Sequence, residues 1–178
     1  MRITKVTTKT GDSGRTRLGT RETVAKSDPM IHALGELDEF NTFMGWLAVI
    51  FPDGDRADMI RSIQQDLFNL GGELSLQGKT QLLDEERIET IERQSEELNE
   101  HLPPLTEFVI PGGSELVARI QINRAICRRV ERAICGLDEA LPRRDIWIRY
   151  LNRLSDWLFV FARYEVQDKE VDEIQWQR

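Results

Sequence analysis

A chain of 178 residues with 40% hydrophobic and 31% charged content is long enough for one soluble domain with its own core, needing no disulfide or metal to hold it. Its 24 Lys plus Arg against 31 Asp plus Glu give a formal net charge of −7, which argues against nonspecific nucleic-acid binding, a property that accompanies a domain-wide basic excess. No run of about 18 apolar residues exists and the polar start MRITKVTTKTGDSGRT lacks the apolar core of a secretion signal, so no membrane span and a reduced, cytoplasmic setting are expected.

In chain order, residues 1–28 hold Thr, Arg and three glycines without a helical apolar period, and read as an extended arm. Asp28 then offers an N-cap with Pro29 at the first helical position. Ile31, Leu34, Leu37, Phe40, Met44 and Leu47 recur every three to four residues, which predicts a helix ending near Phe51-Pro52-Asp53-Gly54. A second helix fits 56–76 and a third, Glu-rich one fits 84–100, stopped by Pro103-Pro104. Residues 107–113 (EFVIPGG) make a brief extended piece closed by a turn signal. Ser114 caps a fourth helix to about Cys135, and a fifth runs over 143–168. Five helices with almost no strand pattern predict an all-α, five-helix bundle in a single domain: arm 1–28, bundle 29–168 and tail 169–178.

The charge is unevenly placed. Residues 1–28 and 113–153 each carry a net +4, whereas residues 84–107 carry −7 and read as a solvated outer face. Two basic islands in an acidic chain suit a compact polyanion such as a nucleoside triphosphate. In the first island, Thr8-Lys9-Thr10-Gly11-Asp12-Ser13-Gly14-Arg15-Thr16-Arg17 offers hydroxyl, ammonium and backbone donors to an anion, though it lacks Walker-loop spacing. In the second, Arg124, Arg128 and Arg132 stand at i, i+4 and i+8 on one helical stripe, where mutual repulsion demands carboxylate or phosphate partners.

On the last helix Asn152, Ser155 and Asp156 interrupt an apolar rhythm and either tie helices together or face a site. On the first, Asp38 and Asn41 share a face, and Asp38 is suited to receive an arginine, while Glu36 and Glu39 read as ordinary surface acids. Other chemistry fails on inventory: His32 and His101 stand in no metal-binding spacing, and Cys127 and Cys135 lie about 12 Å apart along one helix, beyond disulfide reach.

Taken together, TKTGDSGRT, GELDEFN, QQDLFNLGGEL, FVIPGG, NRAICRRVER and YLNRLSDWLFVFAR, in order from about residue 4 to residue 164, resemble the PduO-type ATP:cob(I)alamin adenosyltransferases. The resemblance implies a homotrimeric helical bundle with active sites at subunit interfaces. It implies transfer of the 5′-deoxyadenosyl group of ATP to the cobalt of cob(I)alamin, with Mg²⁺ bound along with ATP and no dedicated protein ligands for the metal. By the same resemblance, Thr8, Lys9, Thr10, Gly11, Thr16, Arg17 and Lys26 bind ATP from the arm. Arg128, Arg129, Glu131, Arg132 and Asn152 bind it from the fourth and fifth helices. Asp38 and Arg124 match an ion pair between adjacent subunits, and Phe108 matches the aromatic that displaces the lower axial ligand of the corrinoid. Val109 and Ile110 are expected to complete an apolar wall with it.

Ser13, Met30 and Thr7 depart from the family pattern, which commonly has Lys, Arg and an aromatic there; a phosphate contact expected at Ser13 then falls to Arg15. The alternative is a noncatalytic carrier or chaperone for ATP or the corrinoid, and a third reading is a helical interaction protein. For the enzyme, direct delivery to an adenosylcobalamin-dependent client enzyme is a further expectation from the resemblance.

Overall fold

The computed structural model describes Thr7, residues 9–168 and residues 173–177. Five helices follow a two-stranded hairpin: β1 (Arg15–Arg17), β2 (Thr23–Ala25), α1 (Pro29–Ala48), α2 (Asp55–Ser75), α3 (Glu86–Asn99), α4 (Glu115–Cys135) and α5 (Arg144–Asp168). The predicted helices are all present, with ends displaced by at most about three residues. Both predicted caps form: Asp28 Oδ1 accepts from the Met30 amide at 2.9 Å and Ser114 Oγ from the Val117 amide at 3.2 Å.

α5 lies along α4 and α3, and α1 lies along α4 and α2. α4 runs against α1, because Arg129 near its end meets Glu36 near the start of α1 while Arg119 near its start donates to the Trp46 carbonyl. Between the helices Phe40, Met44, Ile63, Leu67, Val130, Trp147, Leu154 and Trp157 are fully or almost fully buried. Each such side chain contributes about 1.5–3 kcal/mol relative to exposure, so the apolar stripes read from the sequence are what assembles the bundle. Met30 belongs to this core, which accounts for an apolar residue there: a guanidinium in its place would be buried beneath the start of α1.

The arm corrects the sequence reading. Instead of a wholly extended segment it forms an antiparallel hairpin that pairs Arg15 with Ala25, Thr16 with Val24 and Arg17 with Thr23. Three-residue strands are too short to show alternation, so nothing local announced them. Leu18 at the hairpin end is buried, and the Gly19 amide donates to Ser75 Oγ at 2.9 Å. A Cβ on Gly19 would stand 2.8 Å from that oxygen, so only glycine lets the arm approach α2 this closely.

The Glu-rich helix is less detached than its charge suggested. Ile88 and Ile91 of α3 are buried, and its Arg87 reaches inward, with Nε 2.8 Å from Asp66 Oδ2. The Tyr150 hydroxyl donates to the same oxygen at 2.9 Å. A second buried acid, Glu73, accepts from the amides of Leu82 and Leu83, from Arg143 and from the Trp147 indole. Both acids are thus satisfied by several donors, as buried charges must be. No helix among the described residues is long and apolar enough to cross a membrane.

Candidate functional site

The helical repeat of α4 decides which arginines face outward. Arg128 and Arg132 are exposed, and among the described residues neither forms an ion pair. Arg124, one turn earlier, is half-buried with its guanidinium 5.3 Å from the centre of the Phe159 ring. Burial lowers its pKa from the ordinary arginine value, Arg128 lowers it further, and Asp156 acts in the opposite direction. Two neighbouring cations at the edge of an apolar recess make a region of positive potential suited to an anion.

Arg129 points elsewhere. Its guanidinium spans to α1 and is bound by Glu36 and Glu39, the two residues expected to be ordinary surface acids; those carboxylates hold its pKa above the usual value, Glu39 first. Asp38, the acid expected to take an arginine, is exposed and lines a groove of about 330 Å³ with Leu34, Asn41, Leu67 and Phe68. Among the described residues Asp38 forms no ion pair, with Arg124 or any other cation.

Asn152 joins the two helices on which it was expected to act. Its amide nitrogen donates to Glu131 Oε1 of α4 at 3.3 Å, and its oxygen accepts from Arg153 at 2.8 Å. Arg153 in turn donates to Glu92 on α3 at 2.6 Å. Ser155 is buried and donates to the Asn152 carbonyl, while Asp156 is exposed beside Arg124.

The turn between α3 and α4 forms one wall of a cleft of about 450 Å³, lined by Leu105, Phe108, Val109, Gln121, Arg124 and Phe159. Phe108 is 75% exposed and Ile110 45% exposed. Such apolar exposure beside a cleft makes this face a candidate ligand surface. Sequence reasoning missed what lies across from Phe108: the tail returns from α5, and Gln175 bridges to Val109 as an antiparallel partner. Sixty-six residues separate the two, and no local pattern encodes that pairing.

The arm makes a separate pocket of about 370 Å³ from Thr10, Gly11, Ser13, Arg15, Thr16 and Arg17. Gly14 takes the left-handed conformation at φ 74°, which closes the turn, and the Lys26 amide donates to the Gly14 carbonyl at 2.8 Å. The Lys26 ammonium lies over Gly11, where a Cβ would come within 3.0 Å of it. Lys9, at φ 60°, is exposed at the mouth of this turn. Thr8 lies outside the described residues. Among the described residues the structure gathers the arm residues around one pocket and, separately, Arg124 with Phe108 around another. Among the described residues no cluster of three His, Cys, Asp or Glu side chains is placed to hold a metal ion.

A family sequence model described as cobalamin adenosyltransferase matches residues 6–165. A protein named cobalamin adenosyltransferase from Cupriavidus metallidurans is 41% identical over 179 residues, covering 99% of this chain and 96% of the relative. The corrinoid adenosyltransferase PduO of Salmonella typhimurium is 34% identical, covering 90% of this chain but 49% of the relative, so this chain spans about half of that longer protein. A variant of a PduO-type ATP:corrinoid adenosyltransferase from Lactobacillus reuteri, solved in complex with cobalamin and ATP, superposes with a TM-score of 0.88 at 27% identity, covering 98% of this chain and 97% of that one.

Proposed function

The chain belongs to the cobalamin adenosyltransferase family, and we infer from its site how it performs the reaction: transfer of the 5′-deoxyadenosyl group of ATP to the cobalt of cob(I)alamin, giving adenosylcobalamin and triphosphate. One observation carries this reading. Arg124 lines the Phe108 cleft, and Arg128 and Arg132 continue its stripe along α4 with charges that no carboxylate of the described chain takes up.

Reduced cobalt supplies the nucleophile, so the protein needs no activated Ser, Cys or His. Its tasks are to align C5′ of the ribose with that nucleophile and to stabilise the charge that collects on the departing triphosphate. Arg128, Arg132 and the arm residues Lys9, Thr10, Thr16, Arg17 and Lys26, with the Gly11 backbone, supply the positive charge and donors for the triphosphate; Thr8 is assigned the same role. Mg²⁺ would enter with the nucleotide, with no dedicated protein ligands, and would add positive charge against the departing triphosphate. Glu131 and Asn152 hold the far side of the nucleotide, and their mutual hydrogen bond fixes both. Arg129 supports this group by tying α4 to α1.

The separation of arm pocket and α4 stripe favours a site completed between copies of the chain. In that reading the protein is a homotrimer, the arm of one subunit closes over α4 of the next, and Asp38 pairs across the interface with Arg124. Phe108 and Ile110 would form an apolar wall against the corrinoid that keeps a base and water from its cobalt, leaving the form that takes an electron more readily from an external reductant. A cytoplasmic location and direct delivery of the product to a client enzyme complete this reading.

The test is an anaerobic assay with Mg-ATP and chemically reduced cobalamin, followed by the spectral change to adenosylcobalamin. Absence of product at every ATP concentration would overturn the reading.

A further inference from the structure

The segment that carries Phe108 is tied to the tail by a short run of backbone bonds. It lies between α3 and α4 in no helix, and Phe108 itself is three-quarters exposed, so core packing does not fix its position. The tail pairs with this segment. The Trp176 amide donates to the Phe108 carbonyl at 2.7 Å and the Ile110 amide donates to the Ile174 carbonyl at 2.8 Å, one bond on either side of the Val109–Gln175 bridge. Thr106 Oγ1 adds a bond to Gln175 Oε1 at 3.2 Å, and the Phe108 and Trp176 rings meet with centroids 6.4 Å apart.

A short two-stranded ribbon is marginal in water unless something else anchors it. Here the anchor is Arg163 on α5. Its guanidinium is almost completely buried, with Nε donating to Glu173 Oε1 at 2.8 Å and Nη2 donating to the Pro103 carbonyl at 2.9 Å. One rigid fork therefore grips the tail just before it pairs and the loop that leads into Phe108. Glu173 is also mostly buried, which strengthens the pair beyond an exposed one and makes it costly to leave either member alone.

We propose that the Arg163–Glu173 ion pair is a clasp that positions Phe108 for the transfer reaction by holding the tail strand against its segment. The role of the clasp in catalysis rests on the adenosyltransferase reading; its existence as a mechanical link does not. Arg163 and Glu173 touch neither ATP nor the corrinoid in this scheme and act through the Phe108 segment. Losing the clasp should therefore loosen the wall of the cleft while leaving the arm and the α4 stripe as they are.

The experiment compares wild type with Glu173→Ala and Glu173→Asp, chosen because the change lies outside the helical core; Arg163→Lys serves as the complementary variant. In the ligand-free chain, amide hydrogen exchange at Ile110 reads the clasp directly, since that amide is bonded to the tail. Glu173→Ala should speed exchange at Ile110 by more than about tenfold, leave α4 and α5 core amides unchanged, and be partly reversed in Glu173→Asp. With Mg-ATP and reduced cobalamin, it should raise the corrinoid KM or lower kcat about tenfold, shrink the four-coordinate Co(II) signal, and leave the ATP KM unchanged. Unchanged exchange at Ile110 overturns the clasp whatever the activity. Faster exchange with unaltered kcat, corrinoid KM and Co(II) signal overturns its positioning role. A wild-type chain that transfers nothing overturns the functional reading and the catalytic role together, and the exchange contrast still decides the link itself.

Discussion

Arg129 of α4 forms an ion pair through Nε with Glu36 of α1, and its Nη2 is taken by Glu39. Two adjacent arginines in one helix thus have different employment. Arg129 turns toward α1 and is neutralised within the chain, while Arg128, 100° around the helix, faces outward without a carboxylate partner among the described residues.

Arg128→Ala should therefore lower kcat/KM for transfer by about a hundredfold or more, the magnitude associated with removing one donor from a developing charge. Its helical content and melting temperature should match wild type, because no intrachain ion pair is lost. Circular dichroism beside the spectral assay separates the outcomes: a melted Arg128→Ala chain would mark the residue as structural.

Phe108→Ala should abolish the four-coordinate Co(II) signal in magnetic spectra with little effect on stability, since the ring is 75% exposed and contributes little to the core. An intact signal would remove the assigned role.

The Asp38–Arg124 pairing is expected across a subunit interface. Sedimentation should show a trimer for wild type, a weakened assembly for Asp38→Arg, and partial recovery when Arg124→Asp is added, because reversing both charges restores attraction. A monomeric wild type would sink the interface and the site built on it.

Burial pushes the Asp66 carboxyl above the ordinary carboxylate range, and the hydrogen bonds from Arg87 and Tyr150 only partly offset this. The folded chain then holds its proton to higher pH than the unfolded chain. Asp66 accordingly contributes a stability that falls as pH rises from the unfolded to the folded pKa. Urea titrations of wild type and Asp66→Asn should show the wild-type advantage shrinking as pH rises from the ordinary carboxyl value through the raised folded-state one; an advantage that grows with pH would reverse the assignment. Tyr150→Phe should cost about 1.5–3 kcal/mol at neutral pH through the lost bond to the charged acid.

Cys127 is fully buried, and burial first, then Glu131, pushes its thiol pKa well up; Cys135 is exposed, and both are free. A thiol-directed reagent should label Cys135 in the native chain and reach Cys127 only after denaturation, since the thiolate is the reactive form. Rapid native labelling of both would mean that α4 opens locally far more often than its burial suggests.

Much of this molecule is written in short-range pattern. Asp28 and Ser114 announce two helix starts because a cap is a contact over two or three residues, and the spacing of Arg124, Arg128 and Arg132 places them on one stripe because the helical repeat is invariant. Apolar periodicity likewise places Leu37, Phe40, Met44 and Leu47 inside, and the quoted motifs carried the family. Tertiary structure decided the rest, and in each case the deciding partner is distant in sequence. Glu36 and Glu39, rather than Asp38, receive Arg129 because α1 and α4 cross where those two acids face it. The arm curls into a hairpin because Leu18 can be buried and Gly19 can reach Ser75 on α2. The Phe108 segment meets the tail through backbone bonds that almost any residues could make, and the tail's Glu173 meets Arg163 of α5 through a side-chain ion pair. Local chemistry sets which groups exist and which way a helix turns them; only the packing of separated segments sets which groups meet.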